Sequence, residues 1–196
     1  MSFCWVASLY VKGGYLDEMN DLNSPFPLSL SAGGMSRREL LAALSGSGVR
    51  LNASAEVLLN DAVFDQQRLE TFSVVCRTVG QLGFSDGANL SSIFERAEKL
   101  GFSLCPSIAA PYLRLTLTDQ ESAPDNVMSN GSAPSSSITV AAPPLDNDDD
   151  FPKGFYLRAV NGVLWLRGYH ATDKHIWSPG DSFAFKEKDL PLRINE

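Results

Sequence analysis

The sequence predicts an α+β fold: an antiparallel sheet of about five strands packed on one main helix, with an N-terminal helical pair beside it. Three observations carry this. Leu90, Ile93, Phe94, Ala97 and Leu100 recur at helical spacing between Asn89, a favoured N-cap, and Gly101, a C-terminal stop. Phe72, Val74 and Cys76 alternate with Ser73, Val75 and Arg77 in a segment rich in β-branched and aromatic residues. Asn161-Gly162, a dipeptide suited to the two positive-φ positions of a type I′ turn, separates Phe155–Val160 from Val163–Gly168.

Taken in chain order, residues 1–35 contain Gly13-Gly14, Pro25, Pro27 and Gly33-Gly34 and hold no period for long, so they are expected to be a flexible arm. A chain starting at Met35 is accordingly expected to fold. The domain is expected to span residues 36–187, with residues 188–196 as a polar tail. Ser36 followed by Glu39 has the spacing of a capping box, and Leu40, Leu41 and Leu44 form a helical stripe that Gly46 and Gly48 end. A second short helix is expected from Asn52 or Ser54 to Asn60, making a helical hairpin with the first. The strand over Leu69–Val79 and the helix over Asn89–Leu100 follow.

Cys105-Pro106 and Pro111 are read as bracketing a loop. Beyond it Leu113, Leu115 and Leu117 alternate with Arg114, Thr116 and Thr118 as in a half-buried strand. Glu121–Ser137 is rich in Ser, Pro, Asn and Asp, and is expected to be a disordered, dispensable insertion, because strand patterning resumes at Ile138, Val140 and Ala142. Pro143-Pro144 and the acids up to Asp150 form an exposed connection before the hairpin, and Ser182–Lys186 is a last strand burying Phe183 and Phe185.

The 16 basic and 23 acidic residues leave a net charge of −7, and its distribution is informative. Asp119–Asp150 has no Lys or Arg but seven acids, so the rest of the chain is balanced. Duplex nucleic acid, bound through an excess of cations, is not an expected partner. No apolar run approaches a membrane span, and Met1–Val11 lacks the cationic start of a signal peptide. Cys4, Cys76 and Cys105 form an odd set without a C-x-x-C pair, so a reducing compartment, the cytoplasm, is expected. No cofactor motif is present.

Several short stretches read together as a resemblance. They are Gln81-Leu82-Gly83-Phe84, Asp86-Gly87-Ala88, Ile93 with Ala97, Leu100-Gly101, Leu104-Cys105-Pro106, Leu113-Arg114-Leu115 and Asp119-Gln120. Further on stand Gly162-Val163-Leu164-Trp165-Leu166 and Trp177-Ser178-Pro179-Gly180-Asp181, leading into Phe183-Ala184-Phe185. Over Leu69–Lys186 the chain resembles a family of small uncharacterised bacterial proteins, some of which carry the label "helicase". The resemblance implies that Glu121–Ser137 replaces a compact polar link. It does not imply a motor: no G-x-x-x-x-G-K-[ST] is present, and the chain is too short for two motor domains.

Pairing across Asn161-Gly162 places Leu157 opposite Leu166 and Ala159 opposite Leu164 on a core face. On the other face Tyr156 is opposite Arg167 and Arg158 is opposite Trp165. Two guanidinium groups interleaved with two rings suit an anionic or planar ligand, or a protein partner, and a plain sheet would also accommodate such pairs. Cys105 is a candidate nucleophile if His170 or His175 approaches it. His170, Asp173 and His175 form H-x-x-D-x-H, a candidate metal nucleus that lacks a fourth ligand. A non-catalytic binding or interaction module using Tyr156, Arg158, Trp165 and Arg167 is therefore the leading expectation. The alternative is a small Cys- or metal-dependent, hydrolase-like enzyme using Cys105, His170, Asp173 and His175.

Overall fold

Three of the four α-helices begin where a capping side chain stands. In the computed structural model, which describes residues 26–65, 68–123 and 133–188, α1 (Arg37–Gly46) opens on a complete capping box. The Ser36 amide donates to Glu39 Oε2 at 2.8 Å while the Glu39 amide donates to Ser36 Oγ at 3.4 Å, so two otherwise orphaned donors are satisfied. The Ala55 amide donates to Asn52 Oδ1 at the start of α2 (Ala53–Leu59), and the Ser92 amide to Asn89 Oδ1 at the start of α3 (Leu90–Lys99). Gly101, at φ +91°, then takes α3 out of its helix in the left-handed region that favours glycine.

The sheet is larger than the sequence predicts, and mixed. Its strands are β1 (Leu28–Ala32), β2 (Arg50–Leu51), β3 (Glu70–Thr78), β4 (Phe102–Ser103), β5 (Ile138–Val140), β6 (Gly154–Val160), β7 (Val163–Tyr169) and β8 (Ser182–Glu187). They run in the order β1-β3-β8-β5-β6-β7-β2, with β4 added on β8. The pairs β5–β8 and β2–β7 are parallel and the others antiparallel. An antiparallel sheet of five strands on one main helix is thus corrected to an eight-stranded mixed sheet with four helices.

Besides the two-residue strands β2 and β4, three local departures make up the difference. Residues 109–116 are a helix, α4 (Ala109–Thr116), not a strand. Pro111 lies in its first turn, where a missing amide hydrogen costs nothing, and the helix is buried from Ala109 through Arg114, so no polar stripe betrays its period. Residues 28–32, inside the expected arm, pair with β3 as an edge strand and bury Leu30 and Ala32. Starting the chain at Met35 would therefore remove a strand. Third, α1 packs on α4 and α2 on β7, with β2 between the two helices in sequence, so they are not a hairpin pair.

Both faces of the sheet are covered. On one, Phe72 and Val74 of β3, Val140 of β5, Phe155 and Leu157 of β6 and Leu166 of β7 join residues of α1, α2 and α4. On the other, Val75, Tyr156, Tyr169, Phe183 and Phe185 meet Ile93 and Ala97 of α3 together with Trp177. Burying each large apolar side chain contributes roughly 1.5–3 kcal/mol, which is why β8, contributing Phe183 and Phe185 at full burial, lies mid-sheet. Among the described residues no helix is long and apolar enough to cross a membrane.

The Glu121–Ser137 stretch is anchored at its ends. Ser122 bridges Ala159 in parallel fashion, the Ala123 amide donates to the Ala159 carbonyl at 3.1 Å, and Ser137 is buried. The Gly162 amide donates to Ser122 Oγ at 3.2 Å. These ends belong to the domain, whereas the rest of the expected insertion, 124–132, lies outside the described residues, as do most of the arm and most of the tail.

Candidate functional site

The β6–β7 hairpin has the register the turn dipeptide predicts. Asn161 and Gly162 take φ of 50° and 77°, and Leu157 pairs with Leu166, Ala159 with Leu164, Arg158 with Trp165 and Tyr156 with Arg167. Because side chains alternate across the sheet, Tyr156, Arg158, Trp165 and Arg167 share one face. Their exposures differ sharply. Arg158 and Tyr156 are 1% and 6% exposed, whereas Trp165 and Arg167 are half-buried.

The accessible part of the face is therefore narrower than the four residues expected. Burial raises the Tyr156 hydroxyl above its ordinary pKa, and the charges of Arg167 and Arg158 oppose that rise. Tyr156 thus remains a neutral, buried support between two guanidinium groups. Above it the Arg167 guanidinium lies 5.0 Å from the centre of the Trp165 ring, within cation–π range.

The parallel pairing of β2 with β7 adds a residue that sequence reasoning missed. Arg50 pairs with Trp165, and Trp165 with Arg158, so the three occupy one row across three strands and share a face. Arg50 is exposed, and β2 is the last strand of the sheet. No local signal marks a two-residue strand, and its partner lies over a hundred residues away in the chain.

The residues of the enzymatic alternative are dispersed. Cys105 is buried in the core that contains α4, where Sγ donates to the Ala184 carbonyl at 3.6 Å, and burial pushes its pKa up to about 12. His175 packs edge-on against Trp177 at 4.9 Å, and Trp177 belongs to the core on the opposite face of the sheet. His170 Nε2 lies 3.2 Å from Ser54 Oγ at α2, and Asp173 is exposed. Among the described residues no three of His, Cys, Asp or Glu converge to hold a metal ion. The candidate nucleophile of the alternative reading thus has neither base nor solvent beside it.

Two consequences for the thiols can be measured. Iodoacetamide should label Cys105 only after unfolding, since both access and thiolate formation are denied to it in the fold. Cys76 and Cys105 rise from 9.0 to about 11 and about 12, chiefly through burial, so the folded chain holds these protons more tightly than the unfolded one. Their contribution to stability is intact below about pH 9 and is lost as pH climbs through 11 to 12. Cys105→Ala should therefore lose less stability than the parent chain between pH 9 and 12 in urea titrations.

No protein-family model matches the chain, and comparisons with curated proteins and with solved structures find no significant match. The candidate site accordingly rests on the chain's own geometry: an indole and a guanidinium stacked at the surface end of a well-anchored hairpin.

Proposed function

We propose that the protein is a non-catalytic binding module that holds an anionic or planar partner on the β6–β7 face, with Trp165 and Arg167 as the contacts and Tyr156 and Arg158 as their buried support. The observation that carries the reading is the half-buried Trp165–Arg167 stack, whose backbone is fixed by a seven-residue antiparallel ladder. A ring and a planar cation held this rigidly lose little entropy on binding, the usual requirement of a contact that contributes most of the affinity. The separation of Cys105 from His170 and His175 weighs against an acid, base and nucleophile acting together.

The free thiols Cys76 and Cys105 support a reducing compartment, and with the resemblance to small bacterial proteins they support a bacterial cytoplasm. The test is retention of partners from a lysate of the native host. Trp165→Ala with Arg167→Ala should abolish retention while the melting temperature stays within a few degrees of the parent. Cys105→Ser and His175→Ala should retain the same partners. The reverse pattern would favour the enzymatic alternative.

A further inference from the structure

We propose that Arg50 completes the β6–β7 face, and that the row it forms with Trp165, flanked by Arg167, takes single-stranded nucleic acid, one base stacking on Trp165 and the adjoining phosphates on Arg50 and Arg167. The proposal rests on the binding-module reading and specifies its ligand. Three features lead to it.

First, two cations flank the ring. Arg50 is exposed, half-buried Arg167 lies over Trp165, and among the described residues neither is in an ion pair. Guanidinium groups match phosphate oxygens by parallel N–H donors, so both positions suit a phosphodiester.

Second, the spacing fits a nucleotide unit. The Arg167 guanidinium lies over the Trp165 ring, and the half-buried indole keeps accessible surface on which a base can stack. Arg50 stands one strand away, about 4.8 Å at the backbone, and its side chain is long enough to reach a phosphate attached to a base on Trp165. Bases stack on any aromatic face regardless of sequence, so the contact requires only that the base be unpaired.

Third, the row reaches the rim of the sheet. Trp165 is half-buried on β7, one strand in from the edge strand β2, whose Arg50 is exposed. The clefts at Ser36–Leu41 with Asp65 and between Leu90 and Asp173, the kind of site that buries most of a small ligand, are lined by none of these residues. A row that ends at the rim suits a polymer that gains affinity from several units lying across it. A duplex is disfavoured because its base faces are hidden in the stack and the chain offers no wide cationic surface.

The test is fluorescence anisotropy of a labelled oligothymidylate of about twelve nucleotides, titrated with the full chain at low salt. Binding should be weakened on the order of 10- to 100-fold by Trp165→Ala, and largely kept by Trp165→Phe, which also controls for folding. Arg50→Ala should lower the slope of log K against log salt by about 0.7, the signature of one lost phosphate contact. Unlabelled thymidine monophosphate and inorganic polyphosphate, at equal phosphate, should compete poorly.

Absence of binding up to about millimolar protein would overturn the proposal, as would a full-strength complex with Trp165→Ala. Competition by polyphosphate as strong as by oligonucleotide would overturn it too, reducing the face to an anion site and leaving the binding-module reading in place. Equal competition by the mononucleotide would replace a polymer with a small ligand. The broader reading fails separately, if partner retention from lysate is indifferent to Trp165 and Arg167.

Discussion

Gly168→Ala is expected to destabilise the protein by about 3 kcal/mol or more, enough to leave a marginally stable domain largely unfolded. A Cβ at this position of β7 would stand 2.6 Å from the Ser54 carbonyl carbon and 2.8 Å from the Ala55 nitrogen. Both are backbone atoms of α2, which has no freedom to retreat. Asn52 holds the helix against the strand as its amide group imitates a neighbouring strand: Nδ2 donates to the Gly168 carbonyl at 3.0 Å, and Oδ1 accepts from the Gly168 amide at 2.8 Å. The same Oδ1 caps α2, so one side chain fixes both the helix start and its docking. Gly46→Ala is the contrasting control, since nothing lies within 4 Å of its added carbon, and it should stabilise by about 0.4–1 kcal/mol. Urea denaturation of both variants reads the difference directly.

The second large effect is an asymmetry within one polar cluster. Arg114 of α4 is fully buried, with Nη1 donating to Gln120 Oε1 at 2.6 Å and Nη2 donating to the Leu117 carbonyl. Gln120 passes the connection on, its Nε2 donating to the carbonyls of Ser136 at 2.7 Å and Leu157 at 3.2 Å. Burial lowers the Arg114 pKa to about 10, and the Asp119 charge opposes that shift. Gln120→Ala leaves the buried cation with fewer acceptors and is expected to cost about 3 kcal/mol or more, because an uncompensated buried charge is the expensive state. Arg114→Met removes the charge together with its desolvation cost and should destabilise less, despite deleting the larger polar group. Equilibrium unfolding should rank Gln120→Ala below Arg114→Met; the opposite order would mean that the guanidinium is a net stabiliser.

What was legible in the sequence is what local chemistry decides. Ser36 with Glu39, Asn52 and Asn89 each cap the helix expected of them, and Asn161-Gly162 determines both the turn and the pairing of Leu157 with Leu166. What was not legible depends on burial from all sides or on partners distant in the chain. Leu113, Leu115 and Leu117 alternate like a strand, yet they belong to or adjoin a helix whose surroundings are apolar or buried nearly all round, so period ceased to discriminate. The residues Leu28–Ala32 had too few positions to announce a strand, and acquire one because β3 offers an open edge.

The candidate site divides along the same line. Alternation placed Tyr156, Arg158, Trp165 and Arg167 on one face, but alternation is silent about what covers that face, so it could not distinguish buried Arg158 from accessible Arg167. Arg50 reaches the same face only through a parallel pairing no local pattern encodes. Cys105 before Pro106 reads chiefly as a small packing residue and only secondarily as a reactive turn thiol, and its burial in the core that contains α4 agrees with packing.

The most direct measurement of the recognition claim is photo-crosslinking in the native host from a benzoylphenylalanine placed at Trp165, with the same group at Leu69, which is 61% exposed, as the reference position. The recognition face predicts a discrete adduct from position 165 that is absent from position 69 and that disappears when Arg167→Ala is added. No adduct from position 165, or one that also forms from position 69 and survives Arg167→Ala, would contradict it.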